Sequence, residues 1–190
     1  MPLFFTKEDS FMHLYSVSDE YVEYLRKEEP NVYSNKIDSR THTRKYIGIV
    51  LKLGKYSYYV PMSSPKESDY QIAGEQNVIK KSIVPIIRIV VKNSKGEKEL
   101  KGTLRISHMI PVPESELILY DLENEKDNTY KDLVNNEIIF IRRNKDKIYK
   151  NVELIYKQKA ENDTFAGYVK SALNYKELEK LCDKYWIKDE

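Results

Sequence analysis

The chain has 190 residues, a formal net charge of +2, a third of its residues charged and 41% apolar. It is long enough to bury a sizeable core and too nearly neutral to be a polybasic nucleic-acid binder. No apolar run approaches the roughly 20 residues of a membrane-spanning helix, and the start, MPLFFTKEDSF, lacks the basic region and small-residue cleavage site of a signal peptide. The single cysteine, Cys182, excludes an internal disulfide and a cysteine-based zinc site, fits a reducing cytoplasm, and reads as a small buried residue of a C-terminal helix.

Residues 13–17 predict a short first strand. Ser18 then caps a helix, with Asp19 and Glu20 at the positive end of its dipole, Tyr21, Tyr24 and Leu25 at helical spacing, and Pro30 as its stop. Residues 31–43 are polar and form a long loop, of the kind that carries function. Residues 46–53 and 56–60 flank Gly54-Lys55 as a hairpin. Residues 83–91 carry consecutive β-branched side chains and predict a central strand; a turn at 93–96 sends the chain back through 99–106. Pro111 and Pro113 break regular pairing, and 117–122 predicts a last short strand. The period then changes. Tyr130, Leu133, Val134, Glu137, Ile138 and Ile141 follow helical spacing, with Asn128 or Thr129 as cap. Residues 146–158 predict a second helix, and Asn174 with Glu177 a capping box for a final helix through Tyr185. The fold class is α+β: a compact, strongly curved antiparallel β-sheet with packed helices, the C-terminal third mainly helical, in one domain over 1–190.

The chemistry concentrates in 44–66, RKYIGIVLKLGKYSYYVPMSSPK. Arg44 stands at the entrance of the hairpin, and Ser63, Ser64, Pro65 and Lys66 stand at its exit. Two cations and two hydroxyls at one hairpin mouth suit a phosphodiester. By themselves, residues 63–66 also describe an exposed turn. They contain the S-x-x-K of β-lactamase-type serine enzymes, but the S-D-N and K-T-G motifs are missing, and Lys101-Gly102-Thr103 has the right letters in the wrong order. His13, His42 and His108 lack metal-ligand spacing. His42 lies in the polar loop within reach of a substrate, whereas His108, between Ile106 and Met109, reads as packed. Asp121, Glu123, Glu125 and Asp127 lack the glycine and spacing of a calcium loop, and six glycines form no phosphate loop. Cations at 80–81, 92–101 and 142–150 read as solvated faces unless they converge on one surface. Arg142 and Arg143 suit a helix C-terminus in any case. Sixteen tyrosines serve a half-wet core or base stacking equally well.

Six segments, in fixed order, resemble the ToxN/AbiQ family of type III toxin–antitoxin endoribonucleases: VSDEYVEYL at 17–25, RKYIGIVL at 44–51, YVPMSSPK at 59–66, ISHMIPVP at 106–113, YKDL at 130–133, and FIRRN at 140–144 followed by DKI. The resemblance covers about 15–159 and leaves 1–11 as an N-terminal extension. It implies an extended form of the sheet fold of the Kid and MazF toxins. It further implies RNA cleavage without metal or cofactor, to a 2′,3′-cyclic phosphate and a 5′-hydroxyl. The implied partners are cellular and phage RNA substrates and a small RNA antitoxin of tandem pseudoknot repeats, which the toxin processes and which holds it in a closed toxin–RNA assembly. Release of the toxin halts growth or aborts phage infection.

Carried over position by position, the active-site motif falls on Ser63, Ser64 and Lys66, with Arg44 at its basic position. Tyr21 and Phe140 match groove aromatics. Tyr33 or Arg40 replaces a loop tyrosine, and Lys45, Arg142, Arg143 and Lys147 complete the RNA-binding set. Ser63 stands where threonine is frequent and keeps the oxygen. Arg44 stands where lysine is frequent and, always charged, cannot serve as a base. The expected roles are phosphate holding by Lys66 and Arg44, donation to a non-bridging oxygen by Ser64, and positioning of the nucleotide by Ser63. A non-catalytic RNA- or DNA-binding module is the alternative, since it needs no hydroxyl–lysine cluster; a serine hydrolase is the third.

Overall fold

The structure, a computed structural model, describes residues 13–36, 42–163 and 165–187. Arg40 and the extension at 1–11 lie outside the described residues. Strand β1 (His13–Val17) passes directly into helix α1 (Asp19–Glu28). Ser18 caps that helix as its sequence predicts: Ser18 Oγ accepts the Tyr21 N–H at 3.2 Å. Strands β2 (Tyr46–Leu53) and β3 (Tyr56–Ser63) form the expected hairpin around Gly54, whose φ of 58° lies in the left-handed region. A second hairpin, β4 (Tyr70–Ala73) with β5 (Gln76–Ile79), is mostly exposed and was not legible, because YQIAGEQNVI holds too few apolar residues for a strand pattern. Strands β6 (Ile86–Lys92) and β7 (Lys98–Arg105) follow, then the short β8 (Ile110–Pro111) and β9 (Leu117–Leu119). Helices α2 (Asn128–Arg143), α3 (Lys145–Ala160) and α4 (Tyr175–Ile187) complete an α+β architecture with a helical C-terminal third. The cap of α2 is Asp127 rather than Asn128 or Thr129, its carboxylate accepting the Tyr130 N–H at 3.0 Å.

The main sheet is antiparallel, in the order β6-β7-β3-β2-β1-β9, with β8 also paired to β3. Strand β6 is therefore an edge strand, against the expectation of a central one. Its unbroken apolar run has a different cause, which is cover on both faces. Ile87 and Ile89 are fully buried, α2 packs on the strand, and Arg88 on the opposite side is buried against Asp69. Pro111 does not exclude pairing either, because β8 lasts only two residues, with Tyr58 opposite Pro111 and Tyr59 opposite Ile110.

One edge of β3 is shared. Strand β7 meets it at Met62 and Ser63, β8 meets it at Tyr58 and Tyr59, and a single 3-10 turn at Ile106–His108 joins the two. That turn is how His108 comes to the end of β3 where Ser63 lies. Behind the sheet, one continuous buried core runs from Leu14 to Tyr185 and includes Tyr21, Tyr46 and Tyr58. The buried hydroxyls have partners: Tyr58 donates to Glu179 at 2.8 Å and Tyr21 to the Pro111 carbonyl at 2.7 Å. Cys182 is buried, and no helix among the described residues is long and apolar enough to cross a membrane.

Gly48 in β2 lies directly under the Tyr59 ring. A Cβ there would stand 2.1 Å from Tyr59 Cδ1. Gly48→Ala therefore loses stability on the order of 1–3 kcal/mol through overpacking, measured by urea denaturation. An alanine variant as stable as the parent would contradict this packing.

Candidate functional site

The register of β2 against β3 builds the site. Tyr46 faces Pro61, and the Met62 N–H donates to the Lys45 carbonyl at 2.8 Å. One step further out, Arg44 faces Ser63 at the open end of the hairpin, away from the Gly54 turn. Arg44 Nη1 donates to the Met62 carbonyl at 2.8 Å and to Ser63 Oγ at 2.9 Å. Its Nε donates to the Ser34 carbonyl at 3.4 Å, and its guanidinium carbon lies 4.8 Å from the centre of the Tyr33 ring. Arg44 is 5% exposed and Ser63 6%, so this is a buried cation in a fixed pose. Ser64, Pro65 and Lys66 follow at once and are exposed.

The exposed loop is tied down by its backbone. The Lys66 N–H donates to Asp69 Oδ2 at 3.1 Å, and the Asp69 N–H returns a bond to the Lys66 carbonyl at 2.9 Å. Asp69 is 1% exposed and sits between Arg88, at 3.1 Å, and Arg105, at 3.4 Å. A carboxylate held between two guanidinium groups is a rigid post, since breaking a buried pair leaves an uncompensated charge. The Lys66 main chain hangs from that post while its side chain reaches solvent.

Two flanks adjoin this centre. On one, the half-buried His108 ring stacks on Tyr33 at 4.3 Å, and its Nδ1 lies 2.9 Å from Ser107 Oγ. Burial, followed by the charges of Arg105 and Arg44, pushes the imidazole down to about 4. At neutral pH His108 is therefore an uncharged hydrogen-bonding group among cations. On the other flank is a cavity of about 290 Å³, shared by Arg44, Ser63 and Ser64 with Lys45, Lys101 and Glu137. His42 and Tyr130 line it too, stacked nearly parallel at 3.6 Å, with His42 Nε2 3.4 Å from Asp127. Lys45 lies over the Tyr120 ring at 4.5 Å, and burial lowers its pKa. Glu137 is 9% exposed, and burial alone pushes its carboxyl up to about 7.

Residues 13–183 match the family described as Toxin ToxN, type III toxin-antitoxin system. The chain belongs to that family. The endoribonuclease AbiQ of Lactococcus lactis subsp. lactis is 30% identical over 187 residues, spanning 97% of this chain and 96% of its own. Endoribonuclease ToxN of Pectobacterium atrosepticum is 28% identical over 169 residues, spanning 89% and 91%. The solved structure of AbiQ, described as a lactococcal anti-phage endoribonuclease of a type III toxin–antitoxin system, matches with a TM-score of 0.73 at 26% identity, over 92% of this chain and 98% of that one.

Within this member of the ToxN family, Arg44, Ser63, Ser64 and Lys45 meet around one cavity, and Lys66 continues the same loop. Phe140, half-buried on α2, does not line that cavity, nor do Arg142 and Arg143 at the helix end or Lys147 on α3. Tyr21 requires a correction. It is fully buried, bonded to Pro111 and packed edge-on against Tyr185 at 4.9 Å, so it is a core residue with no surface to offer RNA. Arg40 lies outside the described residues. The sequence reading missed Lys101, Tyr130, Glu137 and Asp69, and it treated His108 as packing alone. One signal was available: Glu137 falls on the apolar stripe of α2, where a carboxyl is out of place.

Glu137 sets a pH dependence of stability. Its folded pKa is raised, so its neutral form is the one the fold favours. The contribution of this group is complete below about pH 4.5 and is lost as pH rises through about 7, in all about 3 kcal/mol at 1.36 kcal/mol per unit. Glu137→Gln cannot ionise. Its stability relative to the parent should therefore rise between pH 5 and pH 8 in denaturant titrations. A difference that stays constant with pH would contradict the buried, ionisable carboxyl.

Proposed function

We propose that the chain is a metal-independent endoribonuclease toxin of a type III toxin–antitoxin system, cutting RNA by attack of the 2′-hydroxyl on the adjacent phosphate. The observation that supports this best is the locked Arg44–Ser63 pair beside the exposed Ser64 and Lys66, in a chain that belongs to the ToxN family. The 2′-oxygen forms a bond to phosphorus and the bond to the 5′-oxygen breaks, leaving a 2′,3′-cyclic phosphate and a 5′-hydroxyl. One proton leaves the 2′-oxygen and one is delivered to the 5′-oxygen. Between these events the phosphorane carries extra negative charge, and fixed donors aimed at it supply the largest part of such catalysis.

Arg44 is suited to that work because it is always charged, pre-positioned, and held in a site of low dielectric. Lys66 adds a second cation, and Ser64 donates to a non-bridging oxygen. Ser63 acts through its bond with Arg44, which orients the guanidinium and with it the nucleotide. The neutral His108 and its stacking partner Tyr33 extend the polar surface along one side. The chain works as a single toxin domain, its elements joined by one core. It acts in the cytoplasm on cellular and phage RNA, and a small RNA antitoxin of pseudoknot repeats holds it inactive in a closed assembly.

Ser64→Ala and Lys66→Ala should each lower RNA cleavage by about a hundredfold or more and abolish growth arrest, while binding of the antitoxin RNA survives. Continued toxicity of Lys66→Ala, expressed without antitoxin, contradicts the assignment. Cleavage by the parent protein persists in excess EDTA; its complete loss would place the reaction in a metal-dependent class.

A further inference from the structure

The cavity beside Arg44 has features that phosphate binding does not use. Its aromatic wall is the stacked pair His42 and Tyr130, its apolar side is Met62 and Leu133, and Glu137 projects its carboxyl into it. The carboxyl packs over Gly102, where a Cβ would stand 2.7 Å from Glu137 Oε1 and 3.2 Å from the Ser63 carbonyl. Glu137 is nine-tenths buried, and its carboxyl makes no ion pair or hydrogen bond within the described residues. A buried polar group in that state awaits a partner. Flat, part-apolar walls with one buried hydrogen-bonding edge suit a nucleobase, as in single-stranded RNA recognition.

We propose that this cavity is the pocket for the base next to the scissile phosphate, and that Glu137 reads it as a neutral carboxylic acid, selecting adenine or cytosine. A protonated carboxyl presents one donor and one acceptor side by side. Adenine and cytosine offer the complement, an exocyclic amino group beside an accepting ring nitrogen; guanine and uracil present an N–H at that ring position. An ionised carboxylate only accepts, so it pairs with guanine and loses adenine and cytosine. The groups facing the carboxyl across the cavity are Arg44, Lys45, Lys101, His42 and Tyr130. None of the three cations pairs with it, and with burial pushing its pKa to about 7 the acid form persists toward neutrality.

The inference rests on the ribonuclease reading and is tested separately from it. The full chain is incubated with a random-sequence RNA pool at pH 6 and pH 8, and the cut ends are sequenced. The expected result is enrichment of adenine or cytosine at one position beside the cut at pH 6, falling severalfold at pH 8. Glu137→Gln, which keeps one donor and one acceptor but cannot ionise, holds the bias at both pH values. Glu137→Leu removes the bias at both, and Gly102→Ala, which displaces the carboxyl without changing it, weakens the bias. Cleavage with no base bias, or with a bias that Glu137→Leu leaves intact, overturns the pocket. A Glu137→Gln enzyme that is slowed at every site with its base preference unchanged also overturns it, since the carboxyl would then serve proton transfer. If the parent protein cuts no RNA at either pH, the ribonuclease reading itself fails and this inference falls with it.

Discussion

The Arg44–Ser63 contact at the mouth of the β2–β3 hairpin is the constraint on which the rest of the site depends. It needs a particular register: with Tyr46 opposite Pro61, Arg44 lies opposite Ser63. A slip of one residue would send Arg44 to the other face of the sheet, since side chains alternate. Register is fixed by burial, because Tyr46, Ile47, Val60 and Met62 are all core residues of these strands. The same hydrophobic pattern that stabilises the hairpin therefore aims its one buried guanidinium. Two carbonyls, a hydroxyl and an aromatic face then hold that group. A cation so held stabilises charge without reorganising, which is what a developing phosphorane requires.

Burial tunes the surrounding groups in three ways. Asp69 is buried with two arginines and serves as a charged anchor for the backbone of Lys66. His108 is half-buried among cations and is kept neutral. Glu137 is buried without a cation and is driven toward its acid form. Each outcome follows from the balance of desolvation against nearby charge. The site thus combines fixed positive charge with neutral polar groups, and that combination can hold a phosphate backbone and distinguish the bases attached to it.

Much of this was legible in the sequence where the signal was local. The cap at Ser18, the hairpin around Gly54, the change of period after Tyr130 and the cluster at Ser63, Ser64 and Lys66 are all short-range patterns. What stayed hidden depends on distant pairings. The edge position of β6 was obscured because an apolar run reports covered faces and not strand order. Tyr21 matched a groove residue in sequence, yet its helix turns it inward against Tyr185 and Pro111. Asp69 reads as one more polar residue after a turn, and only the fold brings Arg88 and Arg105 to it. Glu137 carried a local anomaly, a carboxyl on an apolar stripe, whose meaning emerges only once β7 places Gly102 beneath it.

The account turns on Arg44 and Ser63 acting as one unit. A double-mutant cycle on RNA cleavage measures that directly, with Arg44→Lys, Ser63→Ala and the combination, each checked for folding. The loss in the combined variant should be well short of the product of the single losses, a coupling on the order of 1 kcal/mol or more. Losses that simply multiply would mean the two side chains work independently, and the hairpin mouth would not be the element that builds this site.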